Sequence, residues 1–235
     1  MRYPKAAHVL AVACVLVLPA ALIVPFLWAM KTAGVDLFAQ NHTGLTGSAI
    51  YLAFLAVLAP AILFVQRFPG ADFSFVGKAF NLKTTAVGLA FVLVAMFGGG
   101  ALRSAFSGEE ESALRALGGQ MDAIGSMEFV LTFIMVGLLA PIVEELVFRQ
   151  YLFTLLPYRK SMVWSIAVAA LWAIVFSAVH TQYANPITFG VIAVLAFGFG
   201  MARVITGGIL LPILMHALVN NMSLLSMTLS PVNAG

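Results

Sequence analysis

Seven apolar runs recur along this chain, at approximately 6–30, 45–65, 84–102, 127–156, 162–180, 187–202 and 209–229. A helix that crosses a bilayer needs about 20 consecutive apolar residues. Backbone amides in hydrocarbon must be satisfied within their own segment, so runs of this kind fold as helices. Of the 235 residues, 62% are hydrophobic and 9% are charged. A soluble domain carries roughly a quarter of charged residues, so lipid must be the solvent for most of this surface. The expected fold is all-α, a polytopic transmembrane helix bundle of about seven spans. The run at 127–156 is too long for a straight crossing and is expected to tilt, protrude or kink near Pro141. The run at 187–202 is the shortest.

The connections carry turn chemistry: 67–72 with its Pro-Gly pair, 156–160, Asn185-Pro186, and Thr206-Gly207-Gly208. With no repeat and no low-complexity tract, residues 1–235 form a single membrane domain. It divides into N-terminal helices at 1–105, a polar stretch at 106–126 and a helical core at 127–229. The polar stretch holds Glu109, Glu110, Glu111 and Asp122 beside Leu114 and Leu117, which fits a short surface helix with a solvated face. The start, Met1-Arg2-Tyr3-Pro4-Lys5, has the charge of a signal-peptide leader. The apolar run behind it exceeds a leader's 7–15 residues, so a retained first helix is expected. No lipidation motif is visible at either end.

Lysine and arginine set the orientation. With the N-terminus inside, the inner side holds Arg2, Lys5, Arg67, Lys78, Lys83, Arg159, Lys160 and Arg203, against Lys31, Arg103 and Arg115 outside. Eight against three places the N-terminus in the cytoplasm and, with seven spans, the C-terminus and the acidic stretch outside. A bacterial inner membrane suits this bias. The net charge of +3 is scattered and gives no nucleic-acid signal. The single cysteine, Cys14, has no partner for a disulfide and reads as apolar filler.

Polar residues inside such helices are the informative ones. An ionised group at a helix centre costs about 2.5–3.5 kcal/mol even on permissive insertion scales. The fourth run places Glu144, Glu145 and Arg149 among apolar neighbours. Glu145 and Arg149 are four apart on one face, in the favourable order for an ion pair. Glu144 points about 100° away and has no partner on its own helix. An intramembrane carboxylate of this kind is a functional candidate by default. Two other runs offer partners: His180 at the end of the fifth, and His216 with Asn220, four apart, in the seventh. The simplest closed arrangement gathers Glu144, His180, His216 and Asn220 around one cavity. Each also has a plainer reading: His180 at the interface, His216 bonded to a carbonyl in the core, Asn220 with Asn221 as helix-packing glue, Glu145–Arg149 as structure. Along the spans His180 falls near the outer end and His216 nearer the inner end, so tilt or a kink must bring them together.

In order along the chain, Glu144-Glu145…Arg149 forms EExxxR, Phe176…His180 forms FxxxH, and His216…Asn220 forms HxxxN. Together they resemble the motifs of the CPBP group of intramembrane proteases, also called the CAAX protease or Abi family, which includes the Rce1-type prenyl-protein endopeptidases. The resemblance covers roughly residues 127–225. Members are usually drawn with eight helices, against seven counted here. The resemblance implies that Glu144 and His180 activate a water and that His216 and Asn220 form an oxyanion hole. It also implies that Glu145, Arg149 and Phe176 hold the site in shape. The implied substrate is a peptide or membrane protein, prenylated in some members.

The family has also been described as zinc-dependent, and Glu144, His180 and His216 are the ligand set that would serve. No HExxH is present, and zinc on Glu144 would consume the base, so a metal-free site is the favoured expectation. Three other functions compete. Ser177, three before His180, would suit a serine protease but leaves Glu144, Arg149, His216 and Asn220 idle. A proton-coupled transporter would use the same buried charges, though no repeat supports it. A non-catalytic membrane scaffold would not need three intact motifs.

Overall fold

The computed structural model describes residues 47–56, 60, 74–106 and 126–229, and the architecture that follows is of these. The first apolar run, Cys14 and nearly all of the acidic stretch lie outside them. Every regular element among the described residues is helical: α1 (Gly47–Ala56), α2 (Leu82–Phe106), the long composite α3 (127–152), α4 (Met162–Ala178), α5 (Pro186–Thr206) and α6 (Leu210–Leu229). Four of them, α2, α3, α5 and α6, are long and apolar enough to cross a membrane. Of the seven expected spans, four are full-length helices among the described residues, α1 and α4 are shorter apolar helices there, and the first run lies outside them.

Helix ends follow the local chemistry. Asn81 and Thr84 exchange side-chain bonds to each other's amides at 3.0 Å, starting α2. Ser126, Ser161 and Asn185 cap α3, α4 and α5 by accepting from Phe129, Trp164 and Ile187 amides. The run read as 187–202 is a 21-residue helix, Pro186–Thr206. Proline at its first position and Asn185 before it lengthen one end. Gly207, at φ 74°, ends it with its N–H on the Arg203 carbonyl. That extension places Arg203 in the helix rather than in the following loop and buries it, where it donates to Gln150 Oε1 at 3.4 Å. Arg203 is therefore a buried residue in the last turn of α5.

The fourth run does not simply kink at Pro141. It alternates between α (Met127–Ile134, Ala140–Glu145) and π (Met135–Leu139, Leu146–Leu152) turns. Pro141 has no N–H to return to the preceding turn, and the Ala140 amide bonds Met135 O in the wider register. The carbonyls of Val136 and Gly137 lose their usual partners. Asn220 donates to Val136 O at 2.8 Å and Asn221 to Gly137 O at 3.0 Å, so α6 supplies what the proline removes. Asn221→Leu should leave the Gly137 carbonyl unpaired and lower stability by about 1–3 kcal/mol. Thermal unfolding of the detergent-solubilised protein measures this, and an unchanged midpoint would contradict it.

The depth of α6 is fixed from below. Ile209 and Leu210 amides donate to Phe75 O at 3.0 and 2.8 Å, and the Ala79 amide donates to Thr206 O at 3.2 Å. Gly77, at φ 84°, and Gly208 let these backbones meet; a Cβ at either would overlap main-chain atoms of the other strand of the clasp. Helices α5 and α4 lie side by side, α2 packs on α5 and α6, and α6 packs on the middle of α3. At 17 residues, α4 is about 25 Å long, some 5 Å short of a hydrocarbon layer.

Candidate active site

Between the two π stretches of α3, Glu145 faces the bundle and is wholly buried. Arg149 Nη1 donates to Glu145 Oε1 at 3.0 Å, and its Nη2 to the Ala196 carbonyl of α5 at 2.8 Å. The guanidinium lies 4.8 Å from the Phe176 ring centre and 5.4 Å from that of Phe199. Aromatic faces on two sides lower the cost of a cation held out of water. Glu145 Oε1 takes a second donor, His216 Nδ1, at 2.9 Å. One carboxylate oxygen thus joins the first motif to the third, while Oε2 meets no hydrogen-bond partner among the described residues.

An ionised carboxylate only accepts, so the proton of this contact sits on His216 Nδ1. The ring is stacked on Phe199 at 5.2 Å and meets the edge of Phe176 at 5.7 Å. Held on three sides, it turns Nε2 toward Glu144 Oε2, 3.8 Å away. Glu144 is a quarter exposed, unlike its neighbour. Its other oxygen, Oε1, accepts from the Tyr51 hydroxyl of α1 at 3.3 Å.

His180 follows the last turn of α4 and is partly buried. Its Nδ1 lies 2.6 Å from Phe176 O, a carbonyl that can only accept, so Nδ1 carries the proton and Nε2 is left as an acceptor. The Phe176 ring contacts both histidines, with ring centres 4.6 Å from His180 and 5.7 Å from His216. Tyr183 lies parallel to His180 at 6.2 Å. Asn220, one turn beyond His216 on α6, has one amide N–H on Val136 O.

The structure therefore brings Glu144, Glu145, Arg149, Phe176 and His216 into direct contact. It sets His180 one ring away and Asn220 one turn along. Ser177 is buried with its hydroxyl on Phe189 O at 2.8 Å, tying α4 to α5, which removes it as a nucleophile. The zinc set is not assembled in this arrangement. Glu144 and His216 adjoin, and among the described residues no three His, Cys, Asp or Glu side chains group closely enough to hold a metal.

Sequence reasoning missed Tyr51, Phe199, the His216–Glu145 contact and the burial of Arg203. A phenol in an apolar run and a carboxylate without a partner were both readable, but nothing local joins positions 93 residues apart.

Comparison with known proteins falls on the same helices. Residues 126–222 match the family model described as type II CAAX prenyl endopeptidase Rce1-like. An Escherichia coli protein described as an uncharacterized 24.3 kDa protein is 31% identical over 99 residues, 42% of this chain and 45% of the relative. The similarity thus spans somewhat under half the length of that relative. No solved structure matches.

Proposed function

From the match of residues 126–222, which supports placing that part of the chain in the CPBP, Rce1-like family, we propose that the protein is an intramembrane endopeptidase working by a glutamate-activated water. One observation carries the reading. Glu144, the one partly exposed carboxylate of the pair, lies 3.8 Å from a histidine whose far nitrogen is held by the buried, arginine-paired Glu145.

Glu144 takes a proton from water as the water oxygen attacks the carbonyl carbon of the scissile bond. His180, with Nε2 free to accept, orients that water through its second hydrogen. The tetrahedral oxyanion is met by His216 Nε2–H and by the second amide hydrogen of Asn220, the first being on Val136 O. Glu144 then returns its proton to the departing nitrogen as the C–N bond breaks. Preorganised donors at the oxyanion usually contribute more to the rate than any other feature of such sites. The substrate is a peptide or membrane-protein segment, with a prenylated cysteine as the form to try first. We place the protein as a multi-pass component of a bacterial inner membrane with a cytoplasmic N-terminus.

The test is cleavage of a quenched-fluorescent peptide, with and without a farnesylated cysteine, by purified protein in nanodiscs. Cleavage is expected and should survive thorough chelation. Inhibition by chelator, restored by zinc with one bound equivalent, would overturn the glutamate mechanism and keep the peptidase. No cleavage, with proton flux across liposomes instead, would favour a transporter.

A further inference from the structure

Tyr51 stands outside the segment that matches the family model, on α1, yet it reaches the candidate base. Its position is fixed by packing. A Cβ on Gly47 would overlap the Met135 side chain, so α1 lies directly against the first π stretch of α3. Ser48 Oγ donates to Leu131 O at 3.3 Å one turn earlier on α3. Tyr51, Phe54 and Leu55 then pack on a core of Val143, Leu146, Val147 and Ile213. The phenol is left with its oxygen 3.3 Å from Glu144 Oε1. The opposite oxygen, Oε2, faces His216 Nε2 at 3.8 Å. The two oxygens of one carboxylate are thus divided between two helices.

We propose that Tyr51 is a positioning residue for Glu144, holding Oε1 so that Oε2, on the His216 side, is the oxygen that takes the water's proton. This inference rests on the peptidase reading given above. A carboxylate on a freely turning side chain would offer either oxygen at a range of angles. One donated hydrogen bond restrains the rotation of the group, and general-base catalysis depends on placement within hydrogen-bond reach of the water. The distance is longer than the 2.7–2.8 Å usual for a hydroxyl donor, so the contact aims the carboxylate more than it neutralises it. The site would then be completed by the N-terminal half of the chain.

Tyr51→Phe removes the hydroxyl and keeps the ring that packs α1. With the farnesylated quenched peptide in nanodiscs, kcat should fall about 10- to 100-fold, the scale of one hydrogen bond to a charged group, with KM unchanged. Leu55→Ala, which disturbs the same packing without touching Glu144, should lower thermal stability and leave kcat near wild type. Infrared spectra supply a readout independent of turnover. The carboxylate band identified by its disappearance in Glu144→Gln should shift in Tyr51→Phe and stay in place in Leu55→Ala. A shifted band with unchanged kcat would overturn the positioning role, and an unshifted band would overturn the contact itself. Equal loss of kcat in both variants would reduce Tyr51 to packing. Wild-type protein without turnover would remove the peptidase reading and this role together, and the infrared shift would then report the bond alone.

Discussion

Glu144→Gln is expected to abolish peptide cleavage while leaving the fold in place. The substitution keeps the size of the side chain and one acceptor oxygen, and removes the charge and the ability to take a proton. Glu144 is a quarter exposed, and its two contacts, 3.3 Å to Tyr51 and 3.8 Å to His216, are both long. Neither supports the packing of the bundle, so thermal unfolding should move little. Positioned proton transfer contributes about 10²–10⁴-fold to a rate, and turnover should fall by at least that much. Paired measurement of the unfolding midpoint and of the cleavage rate in nanodiscs checks both halves. A folded Glu144→Gln variant with wild-type turnover would dismiss this residue as the base.

Arg149→Ala is expected to cost the fold as well, destabilising the protein by about 3–5 kcal/mol, the cost of breaking a buried ion pair by removing one partner. Arg149 is buried with a donor on Glu145 and another on Ala196 O, and rings on both sides. Its loss strands the Glu145 charge, leaves the α5 carbonyl unmatched and empties the space between Phe176 and Phe199. Activity should vanish as well, because Glu145 Oε1 also holds His216. Arg149→Lys restores a charge without the two-pronged geometry and should recover only part of the stability. Unfolding in mixed detergent, followed by tryptophan fluorescence, gives the comparison. An Arg149→Ala protein as stable as wild type would reverse the roles assigned to the two glutamates.

The contrast between these outcomes follows from one turn of helix. Glu145 and Arg149 find each other across four residues, a local relation visible in the spacing alone. Glu144 faces elsewhere, and its partners come from α1 and α6, 93 and 72 positions away along the chain.

The membrane-helix class, the turn at Asn185-Pro186, the Glu145–Arg149 pair and the isolation of Glu144 on its own helix are all legible in the amino-acid sequence. Each depends on composition or on contacts within a turn or two, where helix geometry leaves little choice. What each helix buries is not legible there, because lipid is as apolar as a leucine core and removes the contrast that marks an inner face in water. Only packing could decide that Asn220 and Asn221 would meet the carbonyls released around Pro141. The same holds for Arg203, which is buried within the bundle because α5 runs on to Gly207. His216 divides its ring between the two glutamates for a similar reason: the clasp between residues 75–79 and 206–210 fixes how deep α6 sits.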